Sequence, residues 1–210
     1  RVATRSLPVP GESTDAAATA LNYTYNVFGS VASVERGDGQ KYVYGKDDYG
    51  RTEKVYMQGR SDLPLICYEY LPNGGRLKKI VYSNGDSVKL TYNETGRIGR
   101  EEWYHATSKT GETEYVYDAE GNVAKVIDIF SKKEYDYIRE RGAVVRSVTF
   151  DLVLTEGVIT GRSVFESVHY TYDRNGNLLK KRIFAPNGRT RTEHYDYLEN
   201  GETVVRCERD

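Results

Sequence analysis

No run of this sequence comes near the roughly 20 consecutive apolar residues that a helix needs to cross a bilayer, so the chain contains no helical membrane span. Only two cysteines occur, Cys67 and Cys207, far apart and outside any CxxC or Cys/His cluster. That argues against a structural zinc site and leaves two options open, a long-range disulfide or two isolated thiols. Charge of one sign is missing as well, since 30 basic residues face 31 acidic ones. Lys78-Lys79, Lys132-Lys133 and Lys180-Lys181-Arg182 are short and scattered, whereas nucleic acid asks for a concentrated basic footprint. Nucleic acid is therefore excluded as a partner class.

The motifs of the common catalytic classes are absent too. There is no G-x-S-x-G, no phosphate-cradling glycine loop and no H-E-x-x-H. His105, His169 and His194 lie beside tyrosines, with no two at metal-ligand spacing, and read as cross-strand packing neighbours. Asp47-Asp48 falls in a predicted turn, and two carboxylates do not supply the six or more oxygens that calcium takes. The expectation is a chain that is not an enzyme and carries no metal or cofactor. Apolar residues are scarce as well, at 38% with a mean hydropathy of -0.67, against about 45–50% in an ordinary globular domain. The core should be thin.

Tyrosine is what the chain has in quantity, with 19 copies. The phrase Tyr115-Val116-Tyr117-Asp118-Ala119-Glu120-Gly121-Asn122 shows its use. Two tyrosines at spacing two share one face of a strand. Asp118 can then open a turn through its side chain, and Gly121 can close it in the left-handed region. The phrase recurs with second tyrosines at 25, 44, 70, 92, 117, 137, 172 and 197, a mean spacing of roughly 25 residues that marks a repeat architecture. Between these turns lie others at Gly37-Asp38-Gly39, Asn84-Gly85, Thr110-Gly111 and Asn187-Gly188. The longest gap, from Tyr137 to Tyr172, predicts a longer hairpin around residues 156–161 that projects beyond its neighbours. Residues 1–21, with Pro8, Pro10 and Gly11, read as an N-terminal extension or linker, with Asp15 able to cap a short helical turn over 16–20. Residues 22–210 read as one β domain of about eight hairpin repeats. The fold class expected is all-β, an antiparallel meander of repeated hairpins forming a twisted, curled sheet that is open or partly closed.

Aromatic side chains offer the remaining candidate binding groups. Trp103-Tyr104-His105 holds the only tryptophan, and Tyr104, Tyr115 and Tyr117 join Trp103 as candidate ligand-binding residues. Such side chains suit both carbohydrate stacking and protein interfaces. The competing reading is that the tyrosine ladder is the repeat's own packing.

The phrase Y-x-Y-D-x-x-G-[RN]-[LV], as in YVYDAEGNV at 115–123 and YTYDRNGNL at 170–178, resembles the YD-repeat, or Rhs, family. LTYNETGRI at 90–98 and LPNGGRL at 71–77 are looser copies, and the resemblance covers residues 22–210. It implies a spiralling antiparallel sheet of the kind found in bacterial polymorphic toxins, cell-wall-associated proteins and teneurins. It further implies a non-enzymatic scaffold or shell-wall segment of a secreted or cell-surface protein, with a stand-alone glycan- or protein-binding module as the alternative. Self-association through sheet edges is expected in either case. The repeats here are too few to close a shell alone, and the Pro- and Gly-rich self-cleaving segment of toxin members is absent, so self-cleavage is not expected. The chain begins at Arg1 without Met or a signal-peptide core, and reads as a processed or excised segment.

Overall fold

The structure is a computed structural model that describes residues 2–6, 20–72, 75–198 and 203–209. It is all-β, an antiparallel meander. The strands are β1 (Val2–Ser6), β2 (Ala20–Tyr25), β3 (Val31–Arg36), β4 (Lys41–Lys46), β5 (Thr52–Met57), β6 (Ile66–Tyr70), β7 (Leu77–Tyr82) and β8 (Asp86–Tyr92). They continue as β9 (Ile98–His105), β10 (Ser108–Tyr117), β11 (Val123–Asp128), β12 (Lys133–Glu140), β13 (Ala143–Thr155), β14 (Val158–Tyr172), β15 (Leu178–Phe184), β16 (Thr190–Tyr197) and β17 (Thr203–Arg209). The chain divides into two compact units, Arg1–Leu90 with Trp103–Lys109, and Thr91–Glu102 with Thr110–Asp210.

In the first unit the lead is not wholly irregular, because Val2–Ser6 pairs antiparallel with β2. The alternation of Val2, Thr4 and Ser6 with Ala3 and Arg5 suits a strand once an edge is there to accept it. The Asp15 cap and residues 16–19 of the helical turn expected over 16–20 lie outside the described residues, whereas Ala20 opens β2 and is not helical. Cross-strand rungs alternate tyrosine with aliphatic side chains, Tyr23–Val34–Tyr42–Met57, Tyr44–Val55–Ile66–Tyr82 and Tyr68–Ile80–Val88. Each such pair contributes about 0.2–1 kcal/mol. Thr24–Ser33 occupies the opposite face, its hydroxyls 2.6 Å apart.

In the second unit the tyrosine face carries Tyr115–Val126–Tyr135–Thr149 and Tyr137–Ser147–Val168–Ile183. The reverse face alternates charge with apolar groups along Glu114–Ile127–Glu134–Phe150 and Lys125–Asp136–Val148–Ser167–Phe184. Among the described residues no large side chain is completely buried, in keeping with the small apolar share.

The turns follow from local chemistry. At 26–30, 47–51, 93–97, 118–122 and 173–177 the Asn or Asp amide donates to the carbonyl four residues on, and the glycine amide donates back to the Asn or Asp carbonyl. The side-chain Oδ1 of Asn26, Asp47, Asn93, Asp118 and Asp173 accepts the amide four residues on. This is the type I turn closed by a left-handed glycine that the sequence predicts. The ladder slips by one residue beside most of them, as at Thr24/Tyr25, Val116/Tyr117 and Thr171/Tyr172.

Three expectations shift. Thr110-Gly111 is not a turn but lies inside β10. Cross-strand partners Arg100–Glu114 and Tyr115–Glu101 set a register that reverses the chain at Ala106-Thr107, with Ala106 at φ 51°. The long hairpin turns at Glu156-Gly157, both at positive φ, and Gly161 is a strand residue opposite Val153. The sixth repeat, which lacks the turn Asp, reverses at Arg141-Gly142 with both φ values positive, the type I′ pattern. The turn glycine of the third repeat, Gly75, has φ 68°, and that of the eighth, Gly201, lies outside the described residues. Both thiols are free, Cys67 half-buried and Cys207 exposed.

Candidate functional site

At Tyr70, Tyr117, Tyr172 and Tyr197 the second tyrosine of the phrase is a latch between repeats. Tyr70 Oη donates to Thr52 O at 2.6 Å, Tyr117 to Ile98 O at 2.8 Å, Tyr172 to Val144 O at 2.9 Å and Tyr197 to Leu178 O at 3.0 Å. Each acceptor stands two residues after the turn glycine of the preceding hairpin, and at Thr52 and Leu178 it adjoins the one-residue slip of the ladder. Arg139 Nη1 makes the equivalent bond to Val123 O, in the repeat whose turn departs from the pattern. The residue after the glycine adds a second tie. Arg51 grips Asp47 with Nε and Nη2, each 2.6 Å from Oδ2, and its guanidinium lies 4.2 Å from the Tyr70 ring centre and 4.8 Å from that of Tyr49. Arg97 lies 5.6 Å from the Tyr117 ring centre. Replacing Tyr172 by Phe should cost about 1–2 kcal/mol by orphaning the Val144 carbonyl, read as a lower denaturation midpoint with an unchanged denaturant slope.

The candidate residues divide accordingly. Tyr117 is a latch. The Tyr115 hydroxyl bonds Glu101 Oε2 at 3.2 Å, and burial together with that carboxylate pushes its pKa up to about 12. Trp103 is 44% exposed, and Tyr104, its neighbour on β9, projects to the opposite face. Trp103 and Tyr104 fall in the first unit, Tyr115 and Tyr117 in the second. The histidines differ among themselves. His169 packs on Phe184 with ring centres 5.0 Å apart, His105 Nδ1 lies 2.8 Å from Asp86 Oδ1, and His194 Nε2 lies 3.6 Å from Glu208.

Two groups of residues escaped the reading of the sequence. One is a charged network on the second unit's reverse face, in which Lys125 Nζ lies 2.6 Å from Glu134 Oε1 and 3.1 Å from Asp136 Oδ1, and Arg162 Nη1 bonds the same Glu134 oxygen. Burial pushes Glu134 up, but the bonds and charges of Lys125 and Arg162 outweigh it and hold its pKa below the usual carboxylate range. The other is a pair of aromatic side chains at neighbouring turn tips, Phe28 and Tyr49, beside a cleft of about 380 Å³ that Asn26, Ser30, Asp48 and Gly50 also line. Their place inside predicted turns was the available signal, since a turn tip has nothing to bury an aromatic ring against.

The turn carboxylates carry a pH dependence. Asn177 and the backbone amides at 175–177 lower the Asp173 pKa. Partial burial raises Asp118 and Asp47, but backbone amides and neighbouring side chains outweigh it and lower both. A carboxylate whose folded pKa is depressed stabilises in full above its unfolded value, about 3.9 for Asp, and loses that contribution as pH falls through the folded value. The melting temperature should therefore fall on acidification below about pH 4, and Asp173→Asn should flatten part of that fall.

No protein-family model matches the chain, and no curated protein matches its sequence. Solved structures do match. The Tc holotoxin pore of Photorhabdus luminescens superposes with a TM-score of 0.65, and the TcdB2-TccC3 and TcdB2-TccC3-Cdc42 crystal structures with 0.66 and 0.67. Each is 16% identical and covers 89% of this chain but 10% of its own. The fold is YD/Rhs-repeat-like. The chain thus spans about a tenth of the length of the proteins it resembles.

Proposed function

We propose that the chain is a structural and interaction segment, a stretch of scaffold or shell wall within a secreted or cell-surface YD-repeat protein, and that it performs no chemistry itself. The observation that carries this reading is the latch. Tyrosine hydroxyls that the sequence repeats tie one hairpin to the one before it, while the turn carboxylates close their own turns. In a repeat protein such nearest-neighbour ties supply stability along one dimension, and further repeats extend the same contacts. Pairing of strand edges with more of the same repeats or with a partner belongs to this reading, and the neighbours, solved as multi-component toxin assemblies, support it. The test is the reading frame that flanks these residues. Further Y-x-Y-D-x-x-G phrases continuing in register are expected, and a frame without them would overturn the wall.

Exposure of Trp103 favours a second reading, a module that binds glycan or protein through that side chain. It requires a tryptophan fluorescence change on adding the ligand, abolished by Trp103→Ala.

A further inference from the structure

Phe28 and Tyr49 occupy the same position, the residue before the glycine, in the first two Asn/Asp turns. They are 88% and 83% exposed. Their backbones are fixed identically, each amide donating at 3.0 Å to the Oδ1 of the residue two before, Asn26 and Asp47. The corresponding residues of the later turns of this type are Thr95, Glu120 and Asn175. The turn therefore does not need an aromatic here, and a bare ring at a turn tip gains nothing for folding. The Tyr49 ring is also anchored, since Arg51, gripped by Asp47 and lying against Tyr70, lies 4.8 Å from its centre.

We propose that the cleft between these turns binds a neutral saccharide chain, two of whose rings stack on Phe28 and Tyr49. The two turns are offset by two strands, which places them about 9–10 Å apart, too far for a single sugar ring and suited to two alternate rings of an extended chain. The polar groups between them suit hydroxyls. Among the described residues nothing engages the Asp48 carboxylate, the Ser30 hydroxyl or the Asn26 side-chain amide nitrogen, and all three residues line the cleft. A pocket of stacking faces with a few directional polar groups is the usual form of a small-ligand site. An anionic chain would meet Asp48 unpaired. A cation would meet a Tyr49 ring that already faces the Arg51 guanidinium. A protein partner would want a contiguous apolar patch with a buried centre, whereas here a polar cleft separates the exposed Val27-Phe28 tip from the Tyr49 ring.

This inference is independent of the wall reading and of Trp103. Its test is affinity electrophoresis of the whole chain in gels carrying hydroxyethylcellulose, laminarin or galactomannan, with heparin as the anionic probe and choline added as a cationic competitor. Retardation by at least one neutral polysaccharide is expected. It should weaken at least tenfold in Phe28→Ala and in Tyr49→Ala, and persist in Trp103→Ala and with choline present. Both rings are exposed, so circular dichroism should show the variants folded. Phe28→Ala, whose ring makes no tie within the fold, is decisive if Tyr49→Ala loosens Arg51. No retardation by any of the three polysaccharides, retardation unchanged in Phe28→Ala, retardation by heparin alone or release by choline would each overturn the proposal.

Discussion

Replacing Glu134 by Ala should destabilise the second unit by about 2–3 kcal/mol. That is more than any exposed ion pair of this chain should yield. Glu134 is only 5% exposed and sits between Lys125 and Arg162. Removing one partner of a buried pair ordinarily costs about 3–5 kcal/mol, because the other charge is left without compensation. Two features lower the figure here. Lys125 keeps Asp136 at 3.1 Å, and Arg162, half exposed, can turn its guanidinium to water. Arg162→Met, at the wet end of the same network, should cost less than about 1 kcal/mol, although its stack on Phe150 adds a packing component. A chemical denaturation series of the two variants separates them. Equal losses would show that Glu134 is no more consequential than a surface carboxylate. The same geometry sets a pH dependence. With its folded pKa depressed, Glu134 contributes fully above about pH 4.3, the unfolded glutamate value, and the contribution fades as pH falls through the folded value.

Strands and turns were legible in the sequence because their causes are local. An Asp or Asn followed three residues later by Gly contains its own hydrogen-bond partners, so turns such as 118–121 and 173–176 follow from composition alone. Thr110-Gly111 misled for the same reason. Its turn-like pair of residues is overridden by the register that Tyr115–Glu101 and Arg100–Glu114 impose across a sequence separation of 14. The latch was out of reach because it joins positions 18 to 28 residues apart through a carbonyl, which no side-chain pattern reveals. Glu134 was hidden among 31 acidic residues, all of them ordinary as letters. For the candidate site, Tyr115 and Tyr117 drew attention by repetition, and repetition marks what the architecture needs. Phe28 and Tyr49 break the repeat, and a departure from the pattern at an exposed position is the more informative sign.

Gly121→Ala should be more damaging than the same change at the equivalent Gly29, by about 1–2 kcal/mol. The two glycines have nearly the same backbone, φ 87° and 79°, and head the same kind of turn. An alanine pays for the left-handed region at both, about 1–2 kcal/mol. At Gly29 a Cβ would meet nothing within 4 Å, so the backbone cost is the whole cost. At Gly121 it would stand 1.9 Å from Nη2 of Arg97 and 2.5 Å from its Cζ. Arg97 is flexible and can withdraw, but withdrawal takes its guanidinium off the Tyr117 ring and away from Thr95 Oγ1 at 3.2 Å. The excess at Gly121 therefore measures the arginine tie between adjacent repeats. Removing the arginine first, in Arg97→Ala, should bring the Gly121→Ala penalty down to that of Gly29→Ala, a double-mutant cycle whose coupling energy is the tie itself. A cycle that closes to zero would mean Arg97 merely lies over the glycine without holding the next repeat, and the repeats would then be joined by the tyrosine hydroxyls and strand pairing alone.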